Sequence, residues 1–390
     1  MSFRKRSVNV GDGGGSIAKD KILSTGTRPS PLDGRPTTST GTRSLDSLLA
    51  GHAGLVLGNS LLVEETGTTD FSGTLLRYYA SEGILQGHHV HVLGMHEGWA
   101  RDLPGLSGES SSIRTEEKRA SDEKMKIAWR YERLGEFGAG ARDRPFSNNT
   151  TSASQTQTVF CHDFDLSKRL VIPSSAQIQF VPASARQSLD FTDTELGISP
   201  FTTFLNHLAT HLSAAATAVH RIIVPSLLSP ALYPPQGSKP EYVLQFLHAL
   251  RALLRQYPAN LTAMITLPLT LYPRITGLTR WMELLSDGVI ELAPFPSSAI
   301  PIKAASNAST SQEEPPQGMM RIHRLPVFHE KGGGGGESSG FGDDLAFSLS
   351  RRKGLVIKPY SLPPVEGDEE TPQRGIEHDH GKATKVDIEF

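Results

Sequence analysis

A single cysteine, Cys161, stands in 390 residues, so an intramolecular disulfide framework is excluded and the chain fits a reducing compartment. No run of eighteen apolar residues occurs, which excludes a membrane-spanning helix of ordinary length. Arg4-Lys5-Arg6 is followed by no apolar stretch, so a secretory signal is not expected. An excess of one charge is also missing: 39 Lys and Arg stand against 41 Asp and Glu, a net charge of −2, and the whole chain announces no polyanionic partner. Cytosol, nucleus or both stay open as expected locations.

What charge there is gathers at the ends. Residues 1–43 carry eight Lys or Arg against three Asp, and residues 366–390 carry eight acids against three bases. Glycine (37) and proline (26) are abundant and fall in low-complexity tracts, so one domain of roughly 250 ordered residues is expected. The expected layout is a disordered basic tail over 1–35, one domain over 36–364, and a disordered acidic tail over 365–390. Flexible insertions are expected near 105–124, 138–157, 297–317 and 330–343.

The organising stretch runs from Asn59 to Gly94. Leu61, Leu62 and Val63 make a short apolar strand, Thr66 to Thr74 is turn-like, Leu75 to Ile84 is helical, and Val90 to Leu93 is a second strand. Strand, Gly-rich loop, helix is the frame of a P-loop. Laid on G-x-x-x-x-G-K-[ST], the loop has Gly67 first and Thr74 last, but Ser72 replaces the second glycine and Gly73 replaces the lysine. The cation that would meet the β- and γ-phosphates is lost, and Glu64, Glu65 and Asp70 put negative charge near where phosphate would sit.

Further elements alternate. Leu45, Leu48 and Leu49 keep helical spacing, with Ser44 a candidate N-cap. A helix is expected from Phe201 to Val219, leading into the strand Arg221 to Val224. Pro225 then follows where a metal-holding aspartate would end such a strand. A helix over Glu241–Tyr257, strands at Leu261–Leu267 and Gly288–Leu292, and a helix at Trp281–Leu285 continue the pattern. Gly318–Pro326 reads as an alternating edge strand, and Leu345–Leu349 with Leu355–Ile357 as an antiparallel addition. The expected fold class is α/β: a mainly parallel sheet covered by helices on both faces, with antiparallel edge strands. Ser39-Thr-Gly41 with Leu45-Asp-x-Leu-Leu49 and a Gly-rich turn ahead of the P-loop frame resembles the RecA-like family, which implies a RecA-like version of that sheet.

Other features weigh less. Lys124–Glu132 is an amphipathic stretch whose Met125, Ala128 and Trp129 share one side. Its bases Lys124, Lys126, Arg130 and Arg133, with Trp129 and Tyr131, could touch RNA, though packing by the aromatics is the commoner outcome. Cys161-His162-Asp163 does not match a zinc spacing, and His378-Asp379-His380 lies in the tail, so no metal is expected.

The ordered motifs resemble one family, the PAXNEB-type family of Elongator complex protein 4. The resemblance is carried by Ser39-Thr-Gly41 with Leu45-Asp-x-Leu-Leu49, Leu75-Leu-Arg-Tyr-Tyr79, Met125-Lys-Ile-Ala-Trp-Arg-Tyr131, Phe160-Cys-His-Asp-Phe-Asp-Leu166 and Arg221-Ile-Ile-Val-Pro-Ser226. Leu345-Ala-Phe347 with Leu362-Pro-Pro364 completes the series. The resemblance implies a non-catalytic RecA-like subunit of a hetero-hexameric ring formed with Elongator proteins 5 and 6. That ring would bind tRNA and join the catalytic Elongator subcomplex in wobble-uridine modification of the mcm5/ncm5 type. No cofactor is expected on this chain, and ATP at the ring interfaces stays open. By analogy with RecA-like rings, the loop after Leu267 should face inward, which makes Arg274 and Arg280 the RNA candidates. Two alternatives stay open: an NTPase with a non-standard site, and a recombinase-like DNA-repair protein of the same fold.

Overall fold

The computed structural model describes residues 24–49, 51–107, 159–183, 199–296, 314–326 and 345–360. Those up to Pro359 fall in one compact unit. The amphipathic stretch at 124–132, the insertions at 138–157 and 330–343, and the acidic tail lie outside the described residues.

The chain first builds a small antiparallel sheet from β1 (Thr27–Pro29), β2 (Pro36–Thr38) and β3 (Leu55–Val56), with α1 (Arg43–Leu48) between the last two. β1 lies inside the segment expected to be a disordered tail. It is three residues long and held by pairing with β2 and by the Thr37 and Thr38 hydroxyls, which donate to Arg28 and Gly26 carbonyls. Apolar periodicity cannot register so short a strand.

β4 (Ser60–Glu65), α2 (Phe71–Leu85) and β5 (His89–Leu93) follow. The helix starts at Phe71, a turn earlier than the sequence suggests. Next come a two-stranded antiparallel ribbon of β6 (Pro104–Leu106) and β7 (Phe164–Arg169), then β8 (Ile178–Val181) and α3 (Thr202–Ala214). The expected insertion at 105 therefore begins inside a strand. The rest is β9 (His220–Val224), α4 (Pro240–Gln256), β10 (Leu261–Pro268), α5 (Gly277–Leu285), β11 (Gly288–Pro294), β12 (Gly318–Arg324), β13 (Leu345–Ser350) and β14 (Gly354–Pro359).

The main sheet has nine strands in the order β14-β13-β12-β11-β4-β10-β9-β5-β8. From β11 to β8 every pairing is parallel, and β12, β13 and β14 add on antiparallel. This is the expected α/β class, and β10 standing between β4 and β9 is the RecA-like order. β12 is not an edge strand: β11 and β13 flank it, and Gln317, expected in an insertion, pairs with Phe295 and Phe347 backbone. Strand alternation sends Leu62, Ile222, Val224, Ala263 and Ile265 under α3, α4 and α5. The opposite face, with Leu61, Val63, Val90, Ile223 and Met264, lies under α1 and α2.

Three buried polar residues join these layers. Asp46 accepts from Ser39 Oγ (2.6 Å), Thr40 N (2.8 Å) and Thr40 Oγ1 (2.7 Å), which explains why the Ser-Thr-Gly turn and the Leu-Asp motif belong together. Thr42 precedes that helix as N-cap, without a side-chain bond; the expected cap Ser44 instead accepts from Ile357 N at 3.1 Å. Gly41 (φ +79°) passes so close to α2 that a Cβ would lie 2.5 Å from the Tyr78 carbonyl oxygen. Glu82 on α2 accepts from His162 N (2.9 Å) and Gln86 Nε2 (2.7 Å), anchoring the Phe-Cys-His-Asp motif. Arg221, fully buried, donates to Ser39 O (2.9 Å), Tyr79 O (3.0 Å), Thr38 Oγ1 (2.7 Å) and His88 Nδ1 (2.9 Å).

Candidate functional site

β4 ends in two adjacent acids, and the pleat sends them to opposite faces. Glu65 turns towards α2. Its carboxylate accepts from Phe71 N (3.0 Å), Ser72 N (2.9 Å), Thr69 Oγ1 (2.7 Å) and the Ser72 hydroxyl. Asp70, the residue preceding the helix, makes no side-chain cap. The first-turn N–H groups, with the positive end of the helix dipole, are therefore satisfied by an anion from within the chain. In a nucleotide-binding P-loop a phosphate has that environment.

The remaining loop positions are also committed. Gly67 has φ +86° and a backbone tied to Thr270: its N–H donates to Thr270 Oγ1 (3.1 Å), which in turn donates to Gly67 O (2.9 Å). Ser72 is held by Glu65. Gly73 is helical rather than a turn, and a Cβ there would lie 2.0 Å from Asp70 Oδ1. The Thr74 hydroxyl donates to Asp70 O (3.0 Å) and accepts from Arg77 Nη2 (3.0 Å). Asp70 itself pairs with Arg77 at 3.0 Å. The three acids that sequence places near the phosphate position thus have different fates, and of them Glu65 is the one that accepts from the helix-end N–H groups.

Pro225, just past β9, uses its carbonyl to accept the Tyr233 hydroxyl at 2.9 Å, and Ser226 (φ +40°) donates its N–H to Thr266 Oγ1 at 2.7 Å. No carboxylate replaces the missing aspartate at that position. Among the described residues no group of three His, Cys, Asp or Glu is arranged to hold a metal ion as it stands. Cys161 is buried, which pushes its thiol up to about 12 and leaves it no nucleophile at neutral pH.

Glu64 turns the other way, towards α5. It is fully buried and neither carboxylate oxygen has a hydrogen-bond partner. Arg274 Nε lies 3.3 Å away but is aligned on Glu283 instead, bonding it through Nε (2.7 Å) and Nη2 (3.1 Å). Burial first, and the neighbouring Glu283 second, raise Glu64 to about 8 against the pull of Arg274. Arg274 is therefore occupied by carboxylates, with its side chain 27% exposed. Arg280 is 63% exposed and meets Glu283 only at 3.4 Å. The two RNA candidates converge on one acid, and Arg280 is the more exposed of them.

The same segment carries exposed apolar side chains that sequence reading did not single out. Helix α5 buries Met282 and Leu285 inward and leaves Trp281 (54%) and Leu284 (56%) outside, and Leu271 and Ile275 in the loop before it are exposed too. The sequence signal was available in the 3.6-residue spacing of α5, where Trp281 and Leu284 fall off the buried stripe.

The profile of the PAXNEB protein family matches residues 20–390. This chain belongs to the PAXNEB family. Three of its relatives are similar over most of both chains. Elongator complex protein 4 of Schizosaccharomyces pombe is 31% identical over 95% of this chain and 94% of the relative. The Saccharomyces cerevisiae protein of that name is 27% identical over 98% and 86%, and the Homo sapiens one 28% identical over 94% and 86%. A KaiC-like protein of Pyrococcus horikoshii aligns over 83% of this PAXNEB chain and 99% of its own, at 14% identity and a TM-score of 0.39. That score adds nothing to the strand order.

Proposed function

We propose that this chain is a non-catalytic subunit of the Elongator complex. In this reading it is one member of a RecA-like hetero-hexameric ring with Elongator proteins 5 and 6, which binds tRNA and supports wobble-uridine modification in cytoplasm and nucleus. The observation that carries the non-catalytic part is the Glu65 carboxylate on the α2 N-terminus. A nucleotide phosphate entering there would meet a fixed negative charge, no lysine at Gly73 and no metal-holding acid at Pro225. Kinship with proteins named Elongator complex protein 4, over nearly the whole chain, supports membership in that complex. The exposed Leu271, Ile275, Trp281 and Leu284 support burial against another subunit, and the exposed Arg280 in the same segment supports an electrostatic contact with RNA phosphate.

Native mass spectrometry of the complex captured from cells through this chain tests the reading. Co-purification with two related subunits in equal amounts is expected. A lone monomer, or filaments of this chain driven by DNA, would overturn it. ATP hydrolysis by the isolated chain, abolished by Thr74→Ala, would overturn the non-catalytic part separately.

A further inference from the structure

Outside the Glu65 and Glu64 networks, three of the stretches that carry the family resemblance meet. Gly41 ahead of α1, Tyr78 on α2 and His162 to Phe164 at the start of β7 join the β13–β14 turn around a cavity of about 260 Å³. Arg43, Asp163, Lys353 and Leu355 are also in its lining. The apolar part of the wall is made by Phe164 and Tyr78, whose rings lie 5.7 Å apart, and by Leu355. Two hydroxyls in that wall, Tyr78 Oη and Thr42 Oγ1, are buried with no acceptor for their protons, whereas buried polar groups ordinarily find a partner.

The charge around the cavity is one-sided, although the whole chain is nearly neutral. Arg43 and Lys353 line it, and Arg351 and Arg352 precede Lys353 in the same exposed turn. Arg351 O accepts from Leu166 N at 2.8 Å, which sets β7 and its exposed Lys168 and Arg169 beside that turn. The acids nearby are fewer and engaged: Asp165 accepts from Ser167 N and Oγ, Asp102 meets Arg169 at 3.5 Å, and buried Glu82 is bonded to His162 and Gln86. Asp163 is the acid that lines the cavity, and it holds Arg43 through Nε (2.8 Å) and Nη2 (3.1 Å). Their side chains are 54% and 63% exposed, and an ion pair that open to water is worth little. Asp163 can therefore turn to solvent and release Arg43 to a stronger anion.

We propose that this cavity binds a small phosphate monoester, with Arg43 and Lys353 holding the phosphate and the Phe164 and Leu355 wall covering the organic part. At neutral pH a monoester carries close to two negative charges, whereas each phosphate of an RNA backbone carries one. A dianion competes for Arg43 better than the single charge of Asp163, and the planar guanidinium suits a pair of phosphate oxygens. The volume lies at the small end for ligand sites, so it admits a phosphate group with a few more heavy atoms and no run of nucleotides. The Tyr78 and Thr42 hydroxyls stand in the same wall with protons to donate to its oxygens. The basic turn and β7 raise the local concentration of anions at the mouth.

The full chain is titrated by calorimetry with phenyl phosphate and, separately, with inorganic phosphate, at about pH 7.5 so that the ester is a dianion. One equivalent of phenyl phosphate should bind, and inorganic phosphate should bind more weakly. R43Q/K353Q should weaken uptake of the ester by about tenfold or more. D163N removes the competing acid and should tighten it by about threefold. These side chains are exposed, so Tm without ligand should move by no more than about 2 °C in either variant. An RNA oligomer with a 5′-hydroxyl end should not displace the ester. Absence of uptake, affinity unchanged in R43Q/K353Q, inorganic phosphate binding as tightly as the ester, or displacement by that RNA would each overturn the proposal. D163N decides the role of Arg43 by a gain of affinity, which a poorly folded variant cannot mimic.

Discussion

Glu64 and Glu65 are neighbours in sequence, both buried, at the end of the same strand, and their surroundings are opposite. Glu65 is surrounded by donors: two backbone N–H groups and two hydroxyls. Glu64 has two oxygens without a hydrogen bond, a second carboxylate close by, and an arginine already bonded to that second carboxylate. Burial alone therefore says little about a carboxylate. On the α2 side the anion completes the fold, and on the α5 side it is a surplus charge that the fold relieves by keeping a proton.

The sharpest way to break the comparison is Glu65→Ala. It removes the acceptor for four donors, two of them helix-end N–H groups, and should destabilise by about 3 kcal/mol in chemical denaturation. Sulfate should restore part of this loss beyond its effect on the unsubstituted protein, because the emptied helix end becomes an anion site. If sulfate raises Tm equally in both, Glu65 is not standing in for a bound anion.

Arg274→Met comes next, with an expected loss of about 1–2 kcal/mol, since it leaves Glu283 and Glu64 without their shared cation. Glu64→Gln should act in the other direction and depend on pH. The folded pKa of Glu64, about 8, lies above its ordinary value of 4.5. Stability from this group is therefore fully present below pH 4.5 and lost as pH rises towards 8. Glutamine cannot ionise, so the variant should match the parent near pH 5 and exceed it at pH 8.5, as read by Tm across that range. The smallest effect on the fold is expected for Arg280→Glu, within about 0.5 kcal/mol for an exposed side chain. Under the proposed function that same change should weaken tRNA binding by the assembled ring, and unchanged affinity would remove Arg280 from the RNA surface.

Much of the fold was legible because its strands are short apolar runs and its helices amphipathic. Ser60–Glu65, His220–Val224 and Leu261–Pro268 fall where Leu61–Val63, Arg221–Val224 and Leu261–Leu267 announce them. β1 and β8 were missed because short strands carry little periodicity and are defined by their partners. β12 reads as an edge because half its side chains are polar, and only pairing with β13, more than twenty residues later, makes it internal. At the corner, the missing lysine and aspartate are visible as letters, whereas which of three acids meets the helix end depends on the pleat of β4. The pairing of Arg274 with Glu283 was out of reach of helical spacing, because Arg274 lies in the loop before α5 and meets Glu283 nine residues on.

The position of β4 has a consequence for how the chain is made. Its two sheet neighbours, β10 and β11, are encoded roughly two hundred residues downstream, as the pairing of Ser60 with Ala263 and of Leu61 with Gly288 records. At ribosomal speeds of about 5–20 residues per second, the apolar edge of Leu61, Leu62 and Val63 waits roughly 10–40 s for either partner. The strand at the centre of the finished sheet is thus among the first to leave the ribosome and among the last to be paired, which makes it the segment most in need of a chaperone during synthesis.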